Sequence, residues 1–136
     1  MQRVRELGEI MRCQVTIVTI ADGSKTRFVR EGVLLVTPTE VALSYTEENA
    51  ETTLVLRDGK ITMVRKGDYT LSLQFEKGKT LDGSLGLGGN VGGIKVKTDR
   101  IGYSVTEKNL TVRLKYQLLM DGEPQKMQVS IDAKGE

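Results

Sequence analysis

The chain has 136 residues, no histidine, one cysteine and a net charge of +2. Without imidazole there is no Ser-His-Asp or Cys-His catalysis, no histidine-ligated haem and none of the common zinc sites; one cysteine allows neither an internal disulfide nor a thiolate cage. Hydrophobic residues make up 38% and charged ones 28%, a balance that fits one folded domain, and no apolar run approaches the roughly 18 residues of a membrane-spanning helix.

The first dozen residues carry Val4, Leu7, Ile10 and Met11 at three- and four-residue spacing, which fits a short amphipathic helix. Charge without an apolar core behind it argues against a signal peptide, so a cytoplasmic location is expected. Residues 1–12 therefore read as an N-terminal extension and 13–136 as a single β-domain. Cys13 opens an apolar-leaning stretch, Cys13-Gln14-Val15-Thr16-Ile17, and reads as a reduced, partly buried small hydrophobe.

From there the period is two. Val41, Leu43 and Tyr45 alternate with Ala42 and Ser44; Leu71, Leu73 and Phe75 with Ser72 and Gln74; Ile94, Val96 and Thr98 with Lys95 and Lys97. The longest run sets Leu110, Val112, Leu114, Tyr116 and Leu118 against Thr111, Arg113, Lys115 and Gln117, and Met127, Val129 and Ile131 repeat the pattern. One face of each strand is buried and the other wet, as in antiparallel sheets.

The punctuation agrees. Asp-Gly stands at Asp22-Gly23, Asp58-Gly59, Asp82-Gly83 and Asp121-Gly122, each suited to a type I′ hairpin turn. Lys66-Gly67-Asp68 and Glu76-Lys77-Gly78-Lys79 read as further loops, and the acidic Glu47, Glu48 and Glu51 as a solvated one. The glycine-rich run from Gly86 to Gly93 matches neither phosphate-binding fingerprint and reads as a bulged bend at a barrel corner. About ten strands in sequential hairpins make an all-β up-and-down meander, and closing it into an antiparallel barrel removes the edges.

Laid out in this way, the chain resembles the YwiB-like family of small bacterial β-barrel proteins, a domain of unknown function with calycin-like (lipocalin-like) architecture. The resemblance covers about residues 12–132. It is carried by Gly32 followed by Val41-Ala42-Leu43-Ser44-Tyr45-Thr46-Glu47-Glu48, by Leu73-Gln74-Phe75 with Gly78, by Gly93 with Thr98, and by Val112-Arg113-Leu114-Lys115-Tyr116-Gln117-Leu118 ahead of Gly122. It implies a closed or nearly closed barrel and no particular activity.

Three functional readings follow. The first is a small-molecule binding barrel. Polar groups on apolar strand faces would mark its pocket, and Tyr45, Tyr103, Tyr116 and Arg65 are each in phase with aliphatic neighbours. The second is a protein-interaction domain or homodimer, with the N-terminal extension as its best candidate surface. The third is weak nucleic-acid binding by Lys95, Lys97, Arg113 and Lys115, for which a solvated basic strand face is the simpler account. No base, nucleophile or metal constellation can be assembled, so the sequence points to no enzyme, no cofactor and no metal, and without a spanning apolar run to no membrane partner.

The inward face should carry Val41, Leu43, Leu71, Leu73, Phe75, Val112, Leu114, Val129 and Ile131. With aromatics at only 4%, such a barrel is expected to flatten, to take up Val4, Leu7 and Ile10 as a plug, or to hold an apolar molecule near Tyr45 and Tyr116.

Overall fold

The structure, a computed structural model, describes residues 9–120 and 122–136. Ten strands follow one another: β1 Glu9–Ala21, β2 Ser24–Val36, β3 Val41–Glu47, β4 Ala50–Arg57, β5 Lys60–Gly67, β6 Tyr69–Phe75, β7 Thr80–Leu87, β8 Asn90–Val105, β9 Asn109–Leu119 and β10 Gln125–Gly135. Each pairs antiparallel with its neighbours in sequence, and β1 also pairs with β10, so the sheet closes into a barrel. Closure gives the backbone groups of nearly every strand partners on both sides, which is how such a barrel disposes of sticky edges.

The first strand corrects the expected boundary. Residues 9–12 belong to β1, and Met11, Cys13, Val15 and Ile17 form one inward-facing series on it. The inward alternation starts at Met11, two residues before Cys13, and two-residue periodicity overrides the sparse helical spacing. Ile10 faces outward and is exposed, so it cannot plug the interior. Val4 and Leu7 lie outside the described residues.

Two Asp-Gly pairs make the expected turns, with positive φ at Asp22, Gly23, Asp58 and Gly59. Asp82-Gly83 does not turn. It lies inside β7, where Asp82 faces out to Lys95 and Gly83 lets β6 approach: a Cβ there would sit 2.5 Å from the Ser72 carbonyl oxygen. The glycine-rich run is likewise not a bend at a corner. It is a hairpin, β7 to β8, turning at Gly88 and Gly89 with φ of 58° and 86°. The bulge occurs further along β8, where the register to β9 slips between Thr98 and Arg100; Asp99 is the extra residue.

The interior is filled by the strands themselves. Val15, Leu34, Leu43, Leu54, Ile61, Leu73, Phe75, Leu110, Val112 and Ile131 are sealed from solvent. All nine residues expected inside face inward, with Leu71 only partly covered. The gap expected from the low aromatic content is closed by rings that reach across. Phe75 of β6 meets Tyr116 of β9 edge-on, ring centroids 4.7 Å apart, although two strands separate them in the barrel wall. A β-strand core rich in Leu, Ile and Val interlocks densely with only a few such rings.

Gly32 shows how tightly the wall is built. It faces inward opposite Tyr45, and a Cβ on it would meet the Ser44 carbonyl oxygen at 2.5 Å, Val15 Cγ2 at 3.0 Å and Tyr45 Cβ at 3.2 Å. Backbone on one side leaves no room to yield. Gly32→Ala is therefore expected to destabilise the protein by about 1–3 kcal/mol, as overpacking does, read as a lowered urea midpoint at unchanged slope.

Candidate functional site

Hairpin topology sorts the turns into two ends. One end carries Asp22-Gly23, Glu48-Asn49, Asp68, Gly88-Gly89, Met120 and residues 122–124; the other carries 37–40, 58–59, 76–79 and 106–108. Three of the four residues singled out from sequence, Tyr45, Arg65 and Tyr116, belong to the first end.

Arg65 is in phase with Ile61 and Met63 on β5, and its side chain is only 15% exposed. Nη1 donates to the Tyr69 carbonyl oxygen at 3.0 Å, Nη2 to Asp68 Oδ1 at 3.0 Å, and Cζ lies 3.8 Å from the Tyr69 ring centroid. The guanidinium is thus held by one tight connection between β5 and β6, and it keeps the exposed Asp68 carboxyl below its ordinary range. Such a fixed, planar fork loses little entropy on meeting a ligand.

Tyr45 is buried on β3, opposite Gly32 of β2 and Thr52 of β4. Burial raises its pKa; the Thr52 hydroxyl on the neighbouring strand pulls the other way, as do Arg30 and Arg65, while Glu47 adds to the rise. Two arginines therefore share the neighbourhood of one phenol. Arg30 lies on β2 beside inward-facing Val15, its Cζ 4.9 Å from the Phe28 ring centroid and its Nη1 donating to the Val29 carbonyl oxygen at 3.0 Å. Among the described residues Arg30 makes no ion pair.

Tyr116 sits deeper. Burial, with a contribution from Tyr45, pushes its pKa up to about 12. Opposite it on β8 is Thr98, fully buried, whose Oγ1 has no hydrogen-bond partner among the described residues. An unpaired buried hydroxyl costs about 1–3 kcal/mol and normally implies a water or a polar guest.

Tyr103 does not join this group. After the bulge at Asp99 it falls in phase with Ile101 and Val105, but β7 begins only opposite Lys97. Only β9 borders that part of β8, and Tyr103 is left 47% exposed near the other end of the barrel. The sequence-based candidate site also leaves out Arg30, Thr52 and Thr98. Thr52 and Thr98 carried a usable signal, each being in phase with aliphatic residues (Leu54 and Leu56; Ile94 and Val96), whereas Arg30 lies in a stretch of β2 whose residues are mostly exposed on both faces.

Cys13 is buried, and burial together with Glu136 raises its pKa, the opposite of an activated thiol. Lys95, Lys97, Arg113 and Lys115 all face outward as expected.

Residues 12–131 match the family model described as domain of unknown function DUF1934. The chain belongs to this family. Among solved structures the DUF1934 barrel described here is similar to the ywiB protein from Bacillus subtilis, with a TM-score of 0.84 and 18% identity over 93% of each chain. At that identity the likeness speaks for the fold: a closed ten-stranded antiparallel barrel in both sequence expectation and structure. No curated protein matches the chain.

Tyr116 supplies a test of the buried cluster. Its neutral form is favoured in the fold, so its contribution to stability is present below pH 10 and is lost as pH rises towards about 12. The two-unit difference amounts to about 2–3 kcal/mol. Tyr116→Phe should flatten the loss of denaturant stability between those pH values, and an unchanged slope would place the titrating group elsewhere.

Proposed function

We propose that this DUF1934 protein is a non-enzymatic binding domain that takes a small molecule at the barrel end built around Tyr45, Arg30 and Arg65. The observation that carries the reading is the convergence of two inward-phase arginines on a buried phenol, one of them without an ion-pair partner among the described residues. A half-buried cation with no ion-pair partner beside a buried phenol, as Arg30 is beside Tyr45, costs free energy to maintain unless something uses it. Around them Met63, Leu71 and Met127 lie partly uncovered against the core, and Phe28 is exposed. A ligand with an apolar body and an electron-rich head fits that lining. The packed interior argues for a site at the mouth, with only the Thr98 and Tyr116 hydroxyls offering polar contacts further in.

A second reading, a protein-interaction domain, draws on the same packed interior and on one further feature. Ser24–Glu31 of β2 borders β1 alone, because β3 joins only at Gly32. Backbone groups on that free edge, with Phe28 and Val29 exposed on it, could receive another strand.

The two readings separate in a dye titration. The apolar anion anilinonaphthalene sulfonate should bind the native protein with enhanced fluorescence, and Arg65→Met should weaken it tenfold or more, the scale of a lost charge-assisted hydrogen bond. Tyr103→Ala, at the other end, should bind as wild type. Absence of binding, or equal losses in both variants, would move the interaction reading ahead.

A further inference from the structure

The hairpin joining β7 and β8 carries apolar side chains on its tip. Leu87 is 62% exposed and Val91 77%, and Met120 beside them is 50% exposed. Leu119 and Met120 line one open groove of about 630 Å³ beside the tip, with Leu85, Gly93, Lys95 and Asp82, and Leu87 and Val91 project from the two opposite faces of the hairpin at its tip. Isolated exposed hydrophobes are ordinary on protein surfaces; three clustered at one end are not.

The outward face of β8 runs from this tip into positive charge. Val91, Gly93, Lys95 and Lys97 alternate along it, spanning about 20 Å at strand spacing. Lys97 is opposite Gln117, which is opposite Lys126, and Arg100 is opposite Lys115. Lys95 is paired with Asp82 and Arg113 with Asp132, but Lys97, Arg100, Lys115 and Lys126 make no ion pair among the described residues. The acids of this face are Asp82, Asp132 and Asp99, the last accepting a hydrogen bond from Gln117; Asp22 accepts one from the Lys126 backbone. Four cations behind the tip are thus unpaired among the described residues, with the acid Asp99 in a pocket shared by Lys115 and Lys126.

We propose that this end of the barrel docks on an anionic lipid surface, with Leu87, Val91 and Met120 entering the boundary between headgroups and acyl chains and Lys97, Arg100, Lys115 and Lys126 facing the lipid phosphates. Neither part suffices alone. A few medium-sized apolar side chains give only marginal partitioning, and lysines by themselves are screened within about a Debye length. Together they make the two-signal arrangement that peripheral attachment requires. A nucleic-acid surface would call for aromatic groups beside the cations, and the exposed side chains Leu87, Val91 and Met120 are not aromatic. No helix among the described residues could cross a membrane; the sequence reading excluded a membrane on that ground, and surface docking is a property of the folded tip, which linear sequence does not display.

The test is sedimentation of the full chain with vesicles of phosphatidylcholine containing about one third phosphatidylserine, against phosphatidylcholine alone. Binding should require the anionic lipid and fall as salt is raised. Lys97→Gln with Lys115→Gln should weaken it about 25-fold, at about fivefold for each surface lysine. Leu87→Ser with Val91→Ser should weaken it at every salt concentration. All four positions are solvent-facing or at a hairpin tip, so unchanged circular dichroism will show that the variants fold. The proposal is overturned by equal binding to both vesicle types, by both double variants binding like wild type, or by wild type ignoring vesicles while binding duplex DNA through the same two lysines.

Discussion

Strand β1 carries two ladders at once, to β2 along Glu9–Ala21 and to β10 along Cys13–Ala21. Without the second ladder, β1 and β10 would each present a long row of unpaired amide and carbonyl groups to water, and the inward series Cys13, Val15 and Ile17 would lose the wall that carries Val129, Ile131 and Ala133. Hydrogen bonding and apolar burial therefore depend on the same closure. The aromatic contact across the lumen depends on it too, since Phe75 and Tyr116 meet only because the wall curves back on itself.

Closure also explains the character of the candidate site. Once the middle of the barrel is packed, inward-phase residues near the turns are the ones that combine partial burial with access. Arg65, Arg30 and Tyr45 occupy such positions, and the tight connection at Asp68 fixes Arg65 before any ligand arrives. The outer wall is a separate surface with its own chemistry, polar over β8 and β9 and apolar at the β7–β8 tip.

Most of the fold could be read from alternation. The run from Leu110 to Leu118 keeps its inward phase without interruption, and Asp22-Gly23 and Asp58-Gly59 turn where positive φ was expected. What escaped has physical causes. Gly83 serves interstrand approach, a demand that leaves the same Asp-Gly dipeptide as a turn does. Asp99 adds one residue to β8, which local periodicity registers only as a change of phase, and the exposure of Tyr103 follows from where β7 begins, a fact about pairing partners far along the chain. Of the candidate site, Tyr45, Arg65 and Tyr116 were legible from phase alone. Arg30 was not, because the part of β2 that carries it borders a single strand and shows no clear alternation.

The ladder between β1 and β10 joins segments more than a hundred residues apart. Loop-closure entropy must be met before such a contact can reward the chain, so barrel closure comes late and folding is slow relative to proteins with local contacts. During synthesis β1 emerges long before β10 and must wait with its second edge open. The cell's exposure to a sticky intermediate is thus set by the time needed to translate the intervening strands, and the side of β1 facing β10 is the surface on which a chaperone, or a neighbouring nascent chain, would first act.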